Sequence, residues 1–503
     1  MRFMAVVMAV LGCADLLAEK SVPTVVEVDF AREIGPVKPM HAVNNGPAVK
    51  HAESEDQKRG NFEEFKAARI PYARTHDSVG CVSGGAHTCD ITAIFPDFDA
   101  DETDPKNYDF VFTDHYLDNI RRAGTEVFFR LGQTIEHGPK KYGVLPPKDY
   151  AKWARICEHV IRHYNEGWGW GSDTGWTTKN IAWSNQFNIV YWEIWNEPEL
   201  DEADGEPPRN PRTWGGTTTN FFMFFETAAK HLKSRFPNLK IGGPASCGKR
   251  RWVPRFLAYC RDNSVPLDFF SYHIYTEIPW WVAQHGGEMR KMMDQYGFGK
   301  SELILDEWNY VRDMGDEWVY TLEVESGRFN QKAAAFIAAT MIECQSTPID
   351  MMMFYDARTS SIMNSLFDRT TLWPMKGYYP FYAWSKLVDK GTQVACSVRG
   401  KSGKPVQVPD QPGGGNFHAA AAKGADGSCA VFVARYSIGR YTCDDNDTAT
   451  VEVTLRVPGA SLSKARCCLT DAVRTYTETP LSLRSDGSAV IRMQPNSFAL
   501  VEF

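Results

Sequence analysis

The chain has 503 residues, more than one ordinary domain, with 43% hydrophobic and 23% charged residues, the balance of a folded protein with a sizeable core. Its formal net charge of −7 excludes the clustered cationic footprint that nucleic acid or anionic membranes require. Aromatic content of 13%, including 15 Trp, suits a neutral ligand whose CH faces stack on rings, although large cores use such rings too.

Residues Arg2 to Gly12 form a basic start and a short apolar run followed by small residues, the pattern of a signal peptide over residues 1–18, cleaved after Ala14 or Ala18. The run is too short for a membrane span. A secreted or periplasmic location follows, with a lipoprotein anchor at Cys13 of Leu11-Gly12-Cys13 as the alternative. The 12 cysteines suit disulfide-permissive surroundings, and Cys81 with Cys89 could staple a loop. Buried thiols explain several others equally well. With no CxxC pair, neither a metal nor another cofactor is expected.

Val22 to Phe30 alternates and is β-branched, an early strand lying before a barrel that starts at Pro39 to Asn45. Gly60 to Arg69 has helical spacing and leads into a second strand, Ile70 to Asp77, that ends in a polar cluster. The loop Ser78 to Tyr108 is long and polar, as functional loops are. A helix over Thr113 to Ala123, a strand over Glu126 to Leu131 and a helix over Pro147 to Tyr164 precede a tryptophan-rich insert, Trp168 to Trp183. The fourth strand, Phe187 to Trp195, stops abruptly at Asn196-Glu197-Pro198.

Next come a helix over Asn220 to Phe236, a strand over Lys240 to Gly243 and a helix over Val253 to Asp262. The sixth strand, Leu267 to Tyr275, ends Ser-Tyr-His-Ile-Tyr, and a helix over Glu288 to Tyr296 follows. The seventh strand, Glu302 to Asn309, ends in Asp306-Glu307-Trp308. A helix over Asn330 to Cys344, a strand over Ile349 to Tyr355 ending at Asp356, and a helix over Met375 to Lys390 close the ring.

These eight strand-helix alternations, with polar clusters recurring at strand ends, predict an α/β fold: a (β/α)8 TIM barrel over residues 34–390. From Thr392 the grammar changes. Ala430 to Tyr436, Thr450 to Val457 and Ala489 to Met493 alternate like half-buried antiparallel strands, so residues 391–503 predict an accessory C-terminal β-sandwich. Residues 22–33 join it, since the early strand otherwise exposes an edge.

Pro198 cannot donate to a ladder and restricts Glu197 to extended or bridge backbone, which fixes a carboxylate where strand becomes loop. Glu307 ends another strand of the same construction. Two carboxylates facing each other across a barrel mouth, about 5 Å apart, are what retaining hydrolysis of a glycosidic bond needs, with Glu197 as general acid/base and Glu307 as nucleophile. A turn or cap glutamate is the structural alternative for each.

His273 and Tyr275 leave the sixth strand toward Glu307, and Asn196 is suited to hold a sugar 2-hydroxyl. Arg74, His76 and Asp77 bind sugar hydroxyls or brace the nucleophile, or form an internal ion pair. Trp308, Trp280, Trp281 and Trp373 are platform candidates, and Asp356 is a further substrate contact at its strand end.

WEIWNEPEL, SYHIY and LILDEW together resemble the retaining glycosidases whose acid/base and nucleophile sit on barrel strands four and seven. Within them the chain is most similar to glycoside hydrolase family 39, the β-xylosidase and α-L-iduronidase family, over roughly Pro39 to Lys390. The resemblance implies that Asn196 is the 2-hydroxyl ligand and Glu197 the acid/base, and that His273, Tyr275 and His76 are sugar-site residues. The DEWN wording around Glu307 is closer to the α-L-arabinofuranosidases of family 51. A terminal xylose or arabinose cut from an oligosaccharide or polysaccharide is the expectation. The alternatives are α-L-arabinofuranosidase, uronidase or β-galactosidase action by the same mechanism, or a non-catalytic carbohydrate-binding protein. A homo-oligomer is left open.

Overall fold

The computed structural model describes residues 24–49, 58–76, 87–170, 187–312, 330–399, 416–437 and 450–503. The predicted signal, Cys13, Asp77, Cys81 and most of the tryptophan-rich insert lie outside them. Among the described residues no helix is long and apolar enough to cross a membrane.

After β1 (Thr24–Pro36), eight parallel strands close into a barrel: β2 (Ala42–Asn44), β3 (Tyr72–Arg74), β4 (Glu126–Leu131), β5 (Tyr191–Ile194), β6 (Lys240–Ser246), β7 (Phe269–Thr276), β8 (Glu302–Tyr310) and β9 (Met351–Phe354). Each pairs with the next in sequence, and β9 returns to β2. The outer ring carries α1 (Phe62–Ala67), α2 (Ile91–Ile94), α3 (Val111–Arg122), α4 (Tyr150–Glu166), α5 (Thr218–Arg235), α6 (Trp252–Asp262), α7 (Pro279–Gln295), α8 (Gln331–Gln345) and α9 (Tyr379–Lys390).

Local signals set the helix ends. The Asp149 side chain accepts from Lys152 N at 3.0 Å and starts α4, leaving Pro147 outside the helix, and Gly167 at φ 77° stops it. A reciprocal Thr217–Asn220 capping box starts α5. Helix α7 begins at Pro279, well before the predicted Glu288. Its Gly286-Gly287 pair masks the helical pattern, yet Gly286 is required, because a Cβ there would stand 2.6 Å from the Ile349 side chain.

Strand alternation sorts the side chains. Ala42, Phe128, Tyr191, Phe269, Ile304, Met351 and Met353 plug the bottom of the barrel. Trp192 and Trp195 of β5 and its exit point outward against Phe129 and Trp214, so the aromatic fourth strand builds barrel wall. Above the plug the interior turns polar, with Asn44, Arg74, Arg130, Glu193, Ser271 and Asp306 all buried.

The C-terminal β domain consists of β10 (Thr392–Arg399), β11 (Asn416–Lys423), β12 (Cys429–Tyr436), β13 (Val451–Arg456), β14 (Arg466–Thr470), β15 (Thr477–Glu478), β16 (Ser482–Leu483), β17 (Ala489–Met493) and β18 (Ser497–Glu502). With β1 inserted between β10 and β13, they form one ten-stranded sheet curled around its own apolar core. All eight residues of β12 are buried, a correction to its half-buried reading. Val431 and Val433 face the sheet's core, while Phe432 and Tyr436 pack on the barrel helices through Trp384 and Phe336. The alanine run of β11 is strand for the same reason: small residues let α8 approach the sheet, and propensity yields to packing. Cys157, Cys247, Cys260, Cys344, Cys396, Cys429, Cys467 and Cys468 are free thiols.

Candidate active site

The site lies at the C-terminal mouth of the barrel and is organised by one buried guanidinium. From β3, Arg74 Nε donates to Glu193 Oε2 at 2.7 Å and pairs with Asp306 Oδ2 at 3.2 Å. Its Nη1 donates to Glu307 Oε1 at 2.8 Å and Asn44 Oδ1 at 3.0 Å, and its Nη2 to Asn196 Oδ1 at 2.7 Å. Arg74 is fully buried and braces the carboxylates from beneath.

A register slip brings two successive carboxylates of β8 to this one cation. Tyr272 pairs with Leu305 but His273 pairs with Glu307, so Asp306 is the extra residue of a bulge and both it and Glu307 reach Arg74. Trp308 is then turned outward. It is fully buried between Phe354 and Phe336, with ring centroids 5.2 and 6.2 Å away, and cannot serve as a sugar platform. Trp308→Ala is expected to cost about 3–5 kcal/mol in urea unfolding while leaving KM unchanged; a raised KM at parental stability would restore the platform role.

At the β5 exit, Glu197 adopts left-handed backbone, φ 47° and ψ 45°, rather than the extended or bridge form expected before proline. Proline disfavours only the right-handed helical region. Three hydrogen bonds hold the turn: Glu197 N to Ala245 O at 2.9 Å, Leu200 N to Glu197 O at 2.9 Å, and Thr213 Oγ1 to Glu197 O at 2.8 Å. A non-glycine residue so placed costs of order 1–3 kcal/mol, which the surrounding bonds must offset.

His273 of β7 stands between the two glutamates, its Nδ1 2.7 Å from Glu197 Oε1 and 3.4 Å from Glu307 Oε2, with Nε2 3.5 Å from Asp306 Oδ2. Ligating atoms of Glu197, His273 and Glu307 all lie within 4.8 Å of one another. Glu307 Oε2 also accepts from Tyr275 Oη at 2.6 Å, and His76 Nε2 is 3.1 Å from its Oε1. Among the described residues Asn196 keeps a buried Nδ2 with no acceptor, a donor left for a ligand hydroxyl. Asp356 is fully buried against Asn45 and Arg358, which removes it from the predicted substrate contacts. Trp281, in the first turn of α7, and Trp373, on the loop after β9, are 44% and 61% exposed and stay available as platforms.

Burial pushes the Glu307 carboxyl up to about 7, with His273 and Arg74 opposing the rise and Glu197 adding to it. For His273, burial disfavours the charge, but Glu307, Asp306 and Glu197 outweigh it and hold the ring well above the usual histidine range. Burial, reinforced by Arg74 and Arg130, keeps His76 well below that range, so it meets Glu307 as a neutral donor. Beneath, burial raises Glu193 to about 8 against the pull of Arg74. Asp306, despite burial, is held below the ordinary carboxylate range by Arg74 and His273.

Glu193, Asp306 and Asn44 were not singled out as functional from sequence, although a charge inside the otherwise apolar YWEIW strand was a usable signal, since buried charges are almost always paired.

A parallel eight-stranded barrel with paired carboxylates at the ends of its fourth and seventh strands is the architecture of a large group of sugar-processing enzymes. The chain belongs to glycosyl hydrolases family 39, whose model matches residues 24–294. It is 28% identical over 240 residues to a beta-xylosidase of Geobacillus stearothermophilus, covering 46% of this chain and 42% of the relative, so the match spans less than half of that protein. Among solved structures it is similar to a glucosidase from Croceicoccus marinus, with a TM-score of 0.68, 20% identity, and 95% and 98% of the two chains covered. It is also similar to a monomeric beta-xylosidase from Caulobacter crescentus CB15, with a TM-score of 0.61, 17% identity, and 95% and 99% covered.

Proposed function

We propose that this chain is a retaining exo-glycosidase that releases xylose from β-linked oligosaccharides or polysaccharides, with Glu307 as nucleophile and Glu197 as acid/base. The observation that carries the reading is that one carboxylate oxygen of each lies within 4.8 Å of one of the other's. Direct displacement needs about 5 Å, whereas inversion needs about 6.5–9.5 Å to admit a water.

Glu307 attacks the anomeric carbon while the glycosidic C–O bond breaks, and the leaving oxygen takes a proton from Glu197. The proton comes from the Glu197–His273 pair, whose atoms lie 2.7 Å apart. Glu197, now ionised, removes a proton from water as that water attacks the same carbon and frees Glu307. Arg74, His76 and Tyr275 stabilise the nucleophile's charge, and Asn196 Nδ2 is aimed at the 2-hydroxyl, a contact that strengthens in the transition state.

Family membership and the beta-xylosidase relative support xylose. The DEWN wording around Glu307 favours α-L-arabinofuranosides as the second reading. Initial rates on aryl β-xylosides, α-L-arabinofuranosides, β-galactosides, β-glucosides and α-L-iduronides, with the anomer of the first product read by NMR, test both. Cleavage of the xyloside with retained configuration is expected. An inverted product overturns the mechanism, and sugar binding without turnover makes the chain a carbohydrate-binding protein.

The pH profile follows from the nucleophile. Glu307 works only ionised and its carboxyl is raised to about 7, so kcat/KM is expected to fall about tenfold per unit as pH drops below that value. A flat profile down to about pH 5 would show that Glu307 is not the group that must ionise.

A further inference from the structure

Glu199 lies two residues beyond Glu197, in the one-turn segment Pro198–Asp201, and takes no part in the steps above. It is fully buried, and among the described residues no Lys or Arg pairs with it. Its Oε1 accepts from Ser246 Oγ at the end of β6, and the carboxyl also faces the Cys247 thiol. Ser246 Oγ in turn accepts from Gly248 N at 3.1 Å, so the hydroxyl is committed to Glu199 as donor.

The exits of β5 and β6 are thereby tied twice: through the backbone of Glu197 on Ala245 and through the side chain of Glu199 on Ser246. Glu197, Ala245 and Trp195 all sit at positive φ, 47°, 55° and 75°. Two adjoining strand ends in strained backbone need such ties to persist.

We propose that Glu199 is a positioning residue for the acid/base: it locks the Glu197 turn onto the end of β6 and places a second buried carboxyl beside it. This rests on the reading of Glu197 as acid/base. The groups facing Glu199 are Glu197 at the β5 exit, His273 on β7, and Ser246, Cys247 and Lys249 in the segment after β6, with Lys249 Nζ committed to Leu200 O at 3.3 Å. Burial, with Glu197 adding to it, raises Glu199 to about 7. A negative charge on Glu199 disfavours a second charge beside it, the direction that favours the protonated form an acid/base needs to serve the leaving group.

The test uses the full chain and Glu199→Gln, which keeps an acceptor for Ser246 but removes the charge. Carboxyl-labelled glutamates are titrated by 13C NMR, with the Glu197 resonance assigned by its loss in Glu197→Gln, and kcat/KM is followed against pH on 4-nitrophenyl β-xyloside. Glu197 is expected to lose its proton about one pH unit lower in Glu199→Gln, and the alkaline limb to move down by the same amount. Identical Glu197 titrations and limbs in both proteins would overturn the proposal, because a merely structural glutamate is replaced by glutamine without consequence. Parental activity in Glu197→Gln would instead defeat the acid/base reading. The NMR titration, which needs no turnover, still decides whether Glu199 acts on Glu197.

Discussion

Glu307→Gln is expected to lower kcat by on the order of 10⁵-fold for every leaving group, since without the carboxylate no glycosyl-enzyme bond forms. Glu197→Ala is expected to behave differently. An aryl glycoside with a good leaving group needs little proton donation, so the first displacement survives as a burst. Hydrolysis of the intermediate slows by about 10²–10⁴-fold for want of a base. Azide, a small anion able to enter the space left by the side chain and attack without a base, should restore turnover and yield a glycosyl azide of retained configuration. Azide rescue with retained configuration in Glu307→Ala, and with inverted configuration in Glu197→Ala, would reverse the two assignments. The geometry motivates the present order: Glu307 is contacted by Arg74, His76 and Tyr275, donors suited to a fixed anion, whereas Glu197 meets His273, a partner able to supply a proton.

Arg74→Met is expected to be the most damaging substitution outside the reacting pair, costing about 3–5 kcal/mol of stability in urea unfolding and nearly all activity. Methionine fills much of the volume but leaves Asp306 and Glu307 without the cation they share, and Asn44 and Asn196 without their donor. Losing a positive charge disfavours the carboxylate form, so the acid limb of any residual activity moves to higher pH. Arg74→Lys should recover only part of this, because one ammonium cannot occupy the Nε, Nη1 and Nη2 directions together. Parental stability in Arg74→Met would mean that the buried carboxylates are neutral and need no cation.

Much of the barrel was legible because its signals are local. Apolar runs that stop at polar clusters marked most of the eight strands, and the DE pair of β8 and the NEP turn after β5 announced themselves as carboxylates at strand ends. The failures share one cause. Period-two alternation gave no warning that a bulge at Asp306 would turn Trp308 to the helices, because a bulge is defined by the neighbouring strand's register. The glycine pair hid the first half of α7, and its use became visible only against Ile349.

The amino-acid sequence by itself determined the order of elements, the barrel class and the placement of two glutamates at strand ends, since periodicity, proline and abrupt polarity act over a few residues. Tertiary structure alone decided the rest. Arg74 gathers Glu193, Asp306, Glu307, Asn44 and Asn196 from three other strands and the exit of one of them, and the Glu197 turn takes left-handed backbone because Ala245 and Thr213 hold it there. Both depend on contacts between residues far apart in the chain, whose energies no local pattern encodes.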